Sequence, residues 1–175
     1  MIIIQLTGLS GAGKSTIAQG VKKELHEKGY KIEIIDGDEY RKTLCSDLGF
    51  SKIDRMTNIR RLSVVSQVLA RNNIIVILSV INPFTEIRNE IEKSYKNVKT
   101  VWINCSLPEL RNRDTKGLYK RAFLPDNDPD KLYNLTGVND LYEIPENPHL
   151  IINTHLETKE NAIKSLYEFI IKNID

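Results

Sequence analysis

Cysteine is scarce in this chain: Cys45 and Cys105 stand alone, and the histidines His26, His149 and His155 are scattered, so no metal-ligand spacing is present. That pattern excludes a disulfide scaffold or zinc module and fits a reducing interior. Long apolar runs are also missing. The longest, "IIVILSVI" at 74–81, is far too short to span a bilayer, and "MIIIQLTG" at the start lacks a basic region and a small-residue cleavage site. A soluble cytoplasmic protein is expected, with no membrane partner. Charge of one sign is absent too, because 25 Lys and Arg oppose 23 Asp and Glu for a net +2. This balance argues against wrapping of nucleic acid. With neither internal repeat nor low-complexity linker, residues 1–175 read as a single domain of ordinary size.

What the chain does contain is an alternation. Short β-branched runs recur at 2–6, 31–35, 74–80, 98–103 and 150–153, and helical spacing predicts helices at 14–28, 38–46, 55–72, 84–96, 107–121 and 157–173. Strands separated by helices predict an α/β fold with about five parallel strands and helices on both faces. One segment breaks the rhythm. "FLPDNDPDKLYNLTGVNDLYEIPENP" at 123–148 is rich in Pro, Asp and Asn, and so long a loop in a small domain reads as a lid or binding loop. Its "DNDPD" lacks the glycine and terminal glutamate of a calcium loop and reads as a solvated turn.

"GLSGAGKS" at 8–15 matches G-x-x-x-x-G-K-[ST], with a strand before it and a helix after it. Such a P-loop lets Gly8, Gly11 and Gly13, with Ser10 and Ala12 between them, curl the backbone so that N–H groups and the helix dipole meet an anion. Lys14 is expected at the β- and γ-phosphates, Ser15 in the Mg²⁺ shell, and Thr16 beside it. The N-K-x-D motif of a GTPase is absent, and a motor ATPase normally needs a larger chain, so a small-molecule kinase leads over a nucleotide-binding switch or regulatory module.

"DGDEYR" at 36–41 follows the second strand, where a P-loop fold places its ligand crevice. Asp36 and Asp38 suit acceptor-hydroxyl orientation and Mg²⁺ holding, and a helix-cap role for Asp38 is compatible with both. Arg55 and Asn58 share a helical face and, with Arg41, suit an anionic second substrate; Arg60 and Arg61 read as solvated surface. Arg111, Arg113, Lys116, Lys120 and Arg121 crowd just before the irregular loop, where cations would close over phosphates.

Taken in order, "TGLSGAGKST", "DGDEYR", "DLGFSKIDRMTNIRRL", "RDTKGLYKRA" and "LTGVNDLYEIPENP" resemble the adenylylsulfate kinases over nearly the whole chain. That resemblance implies Mg²⁺-dependent transfer of the ATP γ-phosphoryl to the 3′-hydroxyl of adenylyl sulfate. It implies that Lys14, Asp36 and Asp38 serve catalysis, with Ser15 and Asp36 toward the metal. It places Arg41, Phe50, Arg55, Asn58, Ile81, Asn82, Lys116 and Leu135 around the acceptor with Asp38, sets Arg113 near the ATP, and makes 113–148 a lid. The small-molecule nucleotide is the expected partner, with a homodimer left open. Two departures lie on the acceptor side. "SVINPFTEIR" stands where the family reads "SPYR", so Asn82 replaces a serine sometimes assigned a phosphoenzyme role, Phe84 a tyrosine and Thr85 an arginine. An asparagine amide cannot be that nucleophile, so direct transfer is expected. "LTGVN" replaces "FTGID", so Leu135 stands for an aromatic that stacks on adenine, leaving Phe50 as the other face. The alternative acceptor is a related nucleotide such as cytidine diphosphoramidate, from capsule biosynthesis.

Overall fold

Every residue of β1 (Ile3–Thr7) is buried, as a central strand covered on both faces must be. The structure is a computed structural model that describes residues 1–174. In chain order β1 is followed by α1 (Lys14–Glu27), β2 (Ile32–Asp36), α2 (Gly37–Tyr40), α3 (Lys52–Arg71) and β3 (Ile75–Ser79). Then come α4 (Thr85–Ser94), β4 (Val98–Asn104), α5 (Leu107–Arg113), α6 (Leu118–Ala122), β5 (Leu150–Asn153) and α7 (Lys159–Asn173). The five strands form one parallel sheet in the order β2-β3-β1-β4-β5. The expected α/β architecture is therefore present.

Side-chain alternation along β1 divides the core. Ile4 and Leu6 pack with Ile17, Val21 and Leu25 of α1 and Leu166 and Ile170 of α7. Ile3, on the opposite face, joins Ile59 and Leu62 of α3 and Ile87 and Ile91 of α4. Gln5 and Thr7 follow Ile3 along that second face, so its end nearest the strands' carboxyl termini is polar although fully buried. The register sets Asp36 beside Ser79, which puts the ends of β2 and β3 level at one rim.

Three expected helices differ from the structure. The helix expected at 38–46 stops at Tyr40 and continues as turns, with Cys45 N bonded back to Tyr40 O at 2.9 Å and Arg41 Nη1 donating to Gly49 O at 2.9 Å. A new helix then starts earlier than expected, because Ser51 caps α3: its Oγ accepts from Asp54 N at 3.1 Å and donates to Asp54 Oδ2 at 2.8 Å. The run 107–121 is two helices. Asp114 (φ 20°) ends α5 and its carboxylate accepts from Tyr119 N and Lys120 N at 3.0 and 2.8 Å, opening α6 after Gly117 at φ 64°. That break brings Lys116 to the cleft.

Candidate active site

The phosphate cradle combines short-range contacts with ties to distant strand ends. Gly8 takes φ 155°, and a Cβ there would stand 2.4 Å from the Ile103 carbonyl oxygen, so only glycine lets the loop pass β4. Its N–H bonds to Ile81 O at 3.1 Å, tying the loop to the segment after β3. Lys14, first residue of α1, curls back so that Nζ donates to Gly8 O and Leu9 O, both at 2.8 Å. Desolvation lowers the Lys14 pKa to about 8, with Lys116 adding to the effect and Asp38 and Asp36 opposing it. Ser15 Oγ donates to Asp36 Oδ2 at 2.9 Å and lies 3.5 Å from Ser79 Oγ. A hydroxyl and a carboxylate on adjacent element ends are the hard oxygen donors that suit Mg²⁺.

The two acids of "DGDEYR" have separate roles. Asp36, not Asp38, is the helix cap: its Oδ1 accepts from Asp38 N at 2.9 Å. The expected cap role for Asp38 is thus corrected, because the strand ends one residue before the helix and Asp36 alone has the extended backbone a cap requires. Asp38 instead meets Lys116 Nζ at 2.5 Å. Burial disfavours its charge, but the Lys116 hydrogen bond and the charges of Lys116, Lys14 and Arg41 hold its pKa below the usual carboxylate value.

Beyond Asp38 the cleft opens to about 900 Å³, and it is lined by Arg41, Phe50, Arg55, Asn58, Ile81, Asn82, Lys116 and Leu135 as well as by Ser10, Gly11, Gly13 to Thr16, Asp36 and Arg113. Phe50 is 52% exposed, with the Arg41 and Arg55 guanidinium carbons 4.7 and 5.4 Å from its ring centroid. Both arginines already hold protein. Arg41 grips the carbonyls of the 41–49 turn, while Arg55 donates to Phe50 O, Asn134 O and Asp140 Oδ2, each at 2.9 Å. Arg55 therefore fastens α3 to the loop that carries Asn134 and Asp140. Leu135 is buried and belongs to the main core cluster.

Other sequence candidates are not gathered here. Arg60 pairs with Glu90 and Arg61 with Asp47, both exposed, as expected of solvated surface. Arg111 lies over the Phe123 ring and Arg121 donates to Asp130 O, so of the basic run only Arg113 and Lys116 reach the cleft. In "DNDPD" Asp128 accepts from Asp130 N, and among the described residues no group of three acidic, cysteine or histidine side chains could hold a metal ion.

The family model for adenylylsulphate kinase matches residues 1–153. The chain belongs to the adenylylsulphate kinase family. It is 42% identical to the adenylyl-sulfate kinase of Rippkaea orientalis, covering 95% of this chain and 90% of that one. It is 43% identical to the adenylyl-sulfate kinase of Microcystis aeruginosa, with 95% and 89% covered. Among solved structures, the Mycobacterium tuberculosis APS kinase CysC in complex with AMPPNP and APS superposes with a TM-score of 0.86 at 34% identity, covering 94% of this chain and 95% of that one. A phosphotransferase with an alcohol acceptor is the enzyme class of this adenylylsulphate kinase family.

Two cleft residues of this family member, and one behind the cleft wall, escaped sequence reasoning. Thr154 Oγ1 donates to Ala12 O at 2.8 Å, and Arg113 Nη2 donates to Thr154 O at 2.6 Å, so Arg113 is coupled to the cradle through the end of β5. No sequence signal marks that threonine. Thr136 is 1% exposed with Oγ1 unpartnered, and it sits in the "LTGVN" stretch whose Leu135 drew attention instead. Arg88, one helical turn beyond Thr85, supplies a buried guanidinium to the altered loop, donating to Asn82 O at 2.8 Å and Glu143 O at 2.7 Å.

Proposed function

We propose that the protein transfers the γ-phosphoryl group of ATP to the 3′-hydroxyl of adenylyl sulfate, yielding 3′-phosphoadenylyl sulfate in the cytoplasm. The observation that carries this reading is Asp38, a carboxylate held ionised between the cradle lysine Lys14 and the lid lysine Lys116 at the mouth of the acceptor cleft. A side chain so placed can accept or orient the proton of an incoming hydroxyl. Lys14 lies beside it to neutralise charge as the phosphoryl group moves. Ser15 and Asp36 would hold Mg²⁺, which would supply further neutralisation of the phosphates. Phe50, framed by two guanidiniums, offers a stacking face for the acceptor base.

The route is direct and in line. Asn82 stands in the loop after β3 and has no nucleophilic atom, which supports transfer without a covalent enzyme intermediate. Asp38→Asn tests the assignment: kcat should fall by about 10²-fold or more while the KM for ATP stays within a small factor. Near-normal kcat in that variant removes Asp38 from the chemistry.

One observation favours a second acceptor. Leu135 is 5% exposed and packed into the core, so it presents less ring-covering surface than an aromatic. Such a site is better matched to a pyrimidine, and cytidine diphosphoramidate is the comparison substrate. Rates of ATP consumption with the two acceptors decide between them.

A further inference from the structure

A line of buried polar side chains runs beneath the loop that follows β3. Gln5, fully buried in mid β1, donates from Nε2 to the Arg88 carbonyl at 3.1 Å and to Thr100 Oγ1 at 2.8 Å. Thr100 Oγ1 donates onward to Glu92 Oε1. At the other end Asn82 Nδ2 donates to Gln5 Oε1 at 3.1 Å. The direction of this chain follows from what each group can do. A backbone carbonyl only accepts, so Arg88 holds the nitrogen of the Gln5 amide on its side. Thr100 gives its single proton to Glu92 and so receives one from Gln5. Gln5 Oε1 must then face Asn82, and Asn82 must meet it with NH₂.

What is left over is the Asn82 carbonyl oxygen. It is buried without a partner in a residue that is 1% exposed and lines the nucleotide cleft. The backbone of Asn82 is clamped as well: its carbonyl accepts from Thr7 Oγ1 at 3.0 Å and from Arg88 Nη1 at 2.8 Å, at φ 48°. The side chain therefore cannot turn over without breaking the whole chain of donors.

We propose that Glu92, Thr100 and Gln5 are positioning residues that commit Asn82 Oδ1 to the cleft as a hydrogen-bond acceptor, selecting a second substrate that offers an N–H or O–H donor at that point. The proposal rests on the kinase reading above and adds what the acceptor must present. An unpaired buried carbonyl is costly, and a ligand donor relieves that cost. An oxyanion at the same point meets repulsion from Asn82 Oδ1.

The test uses the full chain as wild type, Asn82→Asp, Gln5→Leu, Thr100→Val and the Gln5→Leu/Asn82→Ala pair with its singles. With ATP and adenylyl sulfate, Asn82→Asp and Gln5→Leu should each raise the acceptor KM by about tenfold, leaving the KM for ATP within about twofold. Thr100→Val should have a smaller effect. The double variant should be no worse than Asn82→Ala alone. Loss of kcat with unchanged acceptor KM, or additive losses in the pair, overturns the proposal. A second measurement needs no turnover: the Asn82 side-chain amide resonance, assigned by its disappearance in Asn82→Ala, should move in Gln5→Leu, and an unmoved resonance overturns the relay. If wild type does not phosphorylate adenylyl sulfate, the kinase reading fails while the amide resonance still decides the relay.

Discussion

The two ends of the cleft are built differently. At the ATP end Lys14 is held by carbonyls five and six residues away, and Ser15 meets Asp36 at the end of β2. At the proposed acceptor end the contacts join distant segments: Lys116 reaches Asp38 across 78 residues and Arg55 reaches Asp140 across 85. Of the five buried side-chain polar atoms without partners among the described residues, Asn58 Oδ1, Asn82 Oδ1 and Thr136 Oγ1 belong to residues that line the cleft, whereas Gln67 Oε1 and His155 Nδ1 lie outside it. The lysine of the cradle is thus held by local backbone, whereas the contacts at the other end join segments far apart in the chain and leave three cleft residues with unspent hydrogen-bonding capacity.

Four measurements can break or sharpen that contrast. The largest effect should come from Lys14→Ala, with kcat reduced by about 10²-fold or more and no fall in Tm, because the side chain bonds only to its own loop. Turnover near that of wild type would sink the donor-site assignment. Next, Arg55→Leu should lower unfolding stability by about 3 kcal/mol in urea titration, since it leaves Asp140 and the carbonyls of Phe50 and Asn134 unpaired. The acceptor KM should rise in parallel while the KM for ATP holds; equal changes in both would show that Arg55 serves the whole cleft.

The third effect is a proton. Lys14 titrates at about 8 in the free protein, and bound phosphates favour its charged form, so its pKa rises on ATP binding. Between the free and bound values the complex holds more protons, so binding near pH 8.5 takes up a proton and apparent affinity falls as pH rises above about 8. Calorimetry in buffers of different ionisation enthalpy reads this directly, and Lys14→Ala should abolish the uptake. The smallest expected change is selectivity. Leu135→Phe should shift the kcat/KM ratio toward adenylyl sulfate over cytidine diphosphoramidate by about tenfold, the worth of one base-stacking face. An unchanged ratio removes Leu135 as the selectivity determinant.

Strand positions, the cradle and the face shared by Arg55 and Asn58 were legible in the sequence, because each depends on periodicity or on a motif whose residues are neighbours in the chain. The split of 107–121 was missed because charged residues on both sides of "DTKG" were read as one continuous helix, although Gly117 marked the break that the Asp114 carboxylate completes by capping the next helix. The cap at Asp36 was misplaced by two residues, since strand end and helix start abut there.

By itself, then, the sequence determined that a parallel α/β sheet carries an ATP cradle at the end of its first strand, because the glycine spacing and the β-branched runs admit little else. Which cations face the substrate was decided only by tertiary structure. Arg111 and Arg113 are two residues apart, yet one lies over Phe123 and the other reaches Thr154. The same holds for Gln5, an unremarkable polar residue inside an apolar strand, whose partners Asn82, Arg88 and Thr100 come together only when β1, β4 and α4 pack. A side chain's charge and hydrogen-bonding capacity are local properties, but whether they are spent on protein or kept for a ligand depends on neighbours supplied from across the chain.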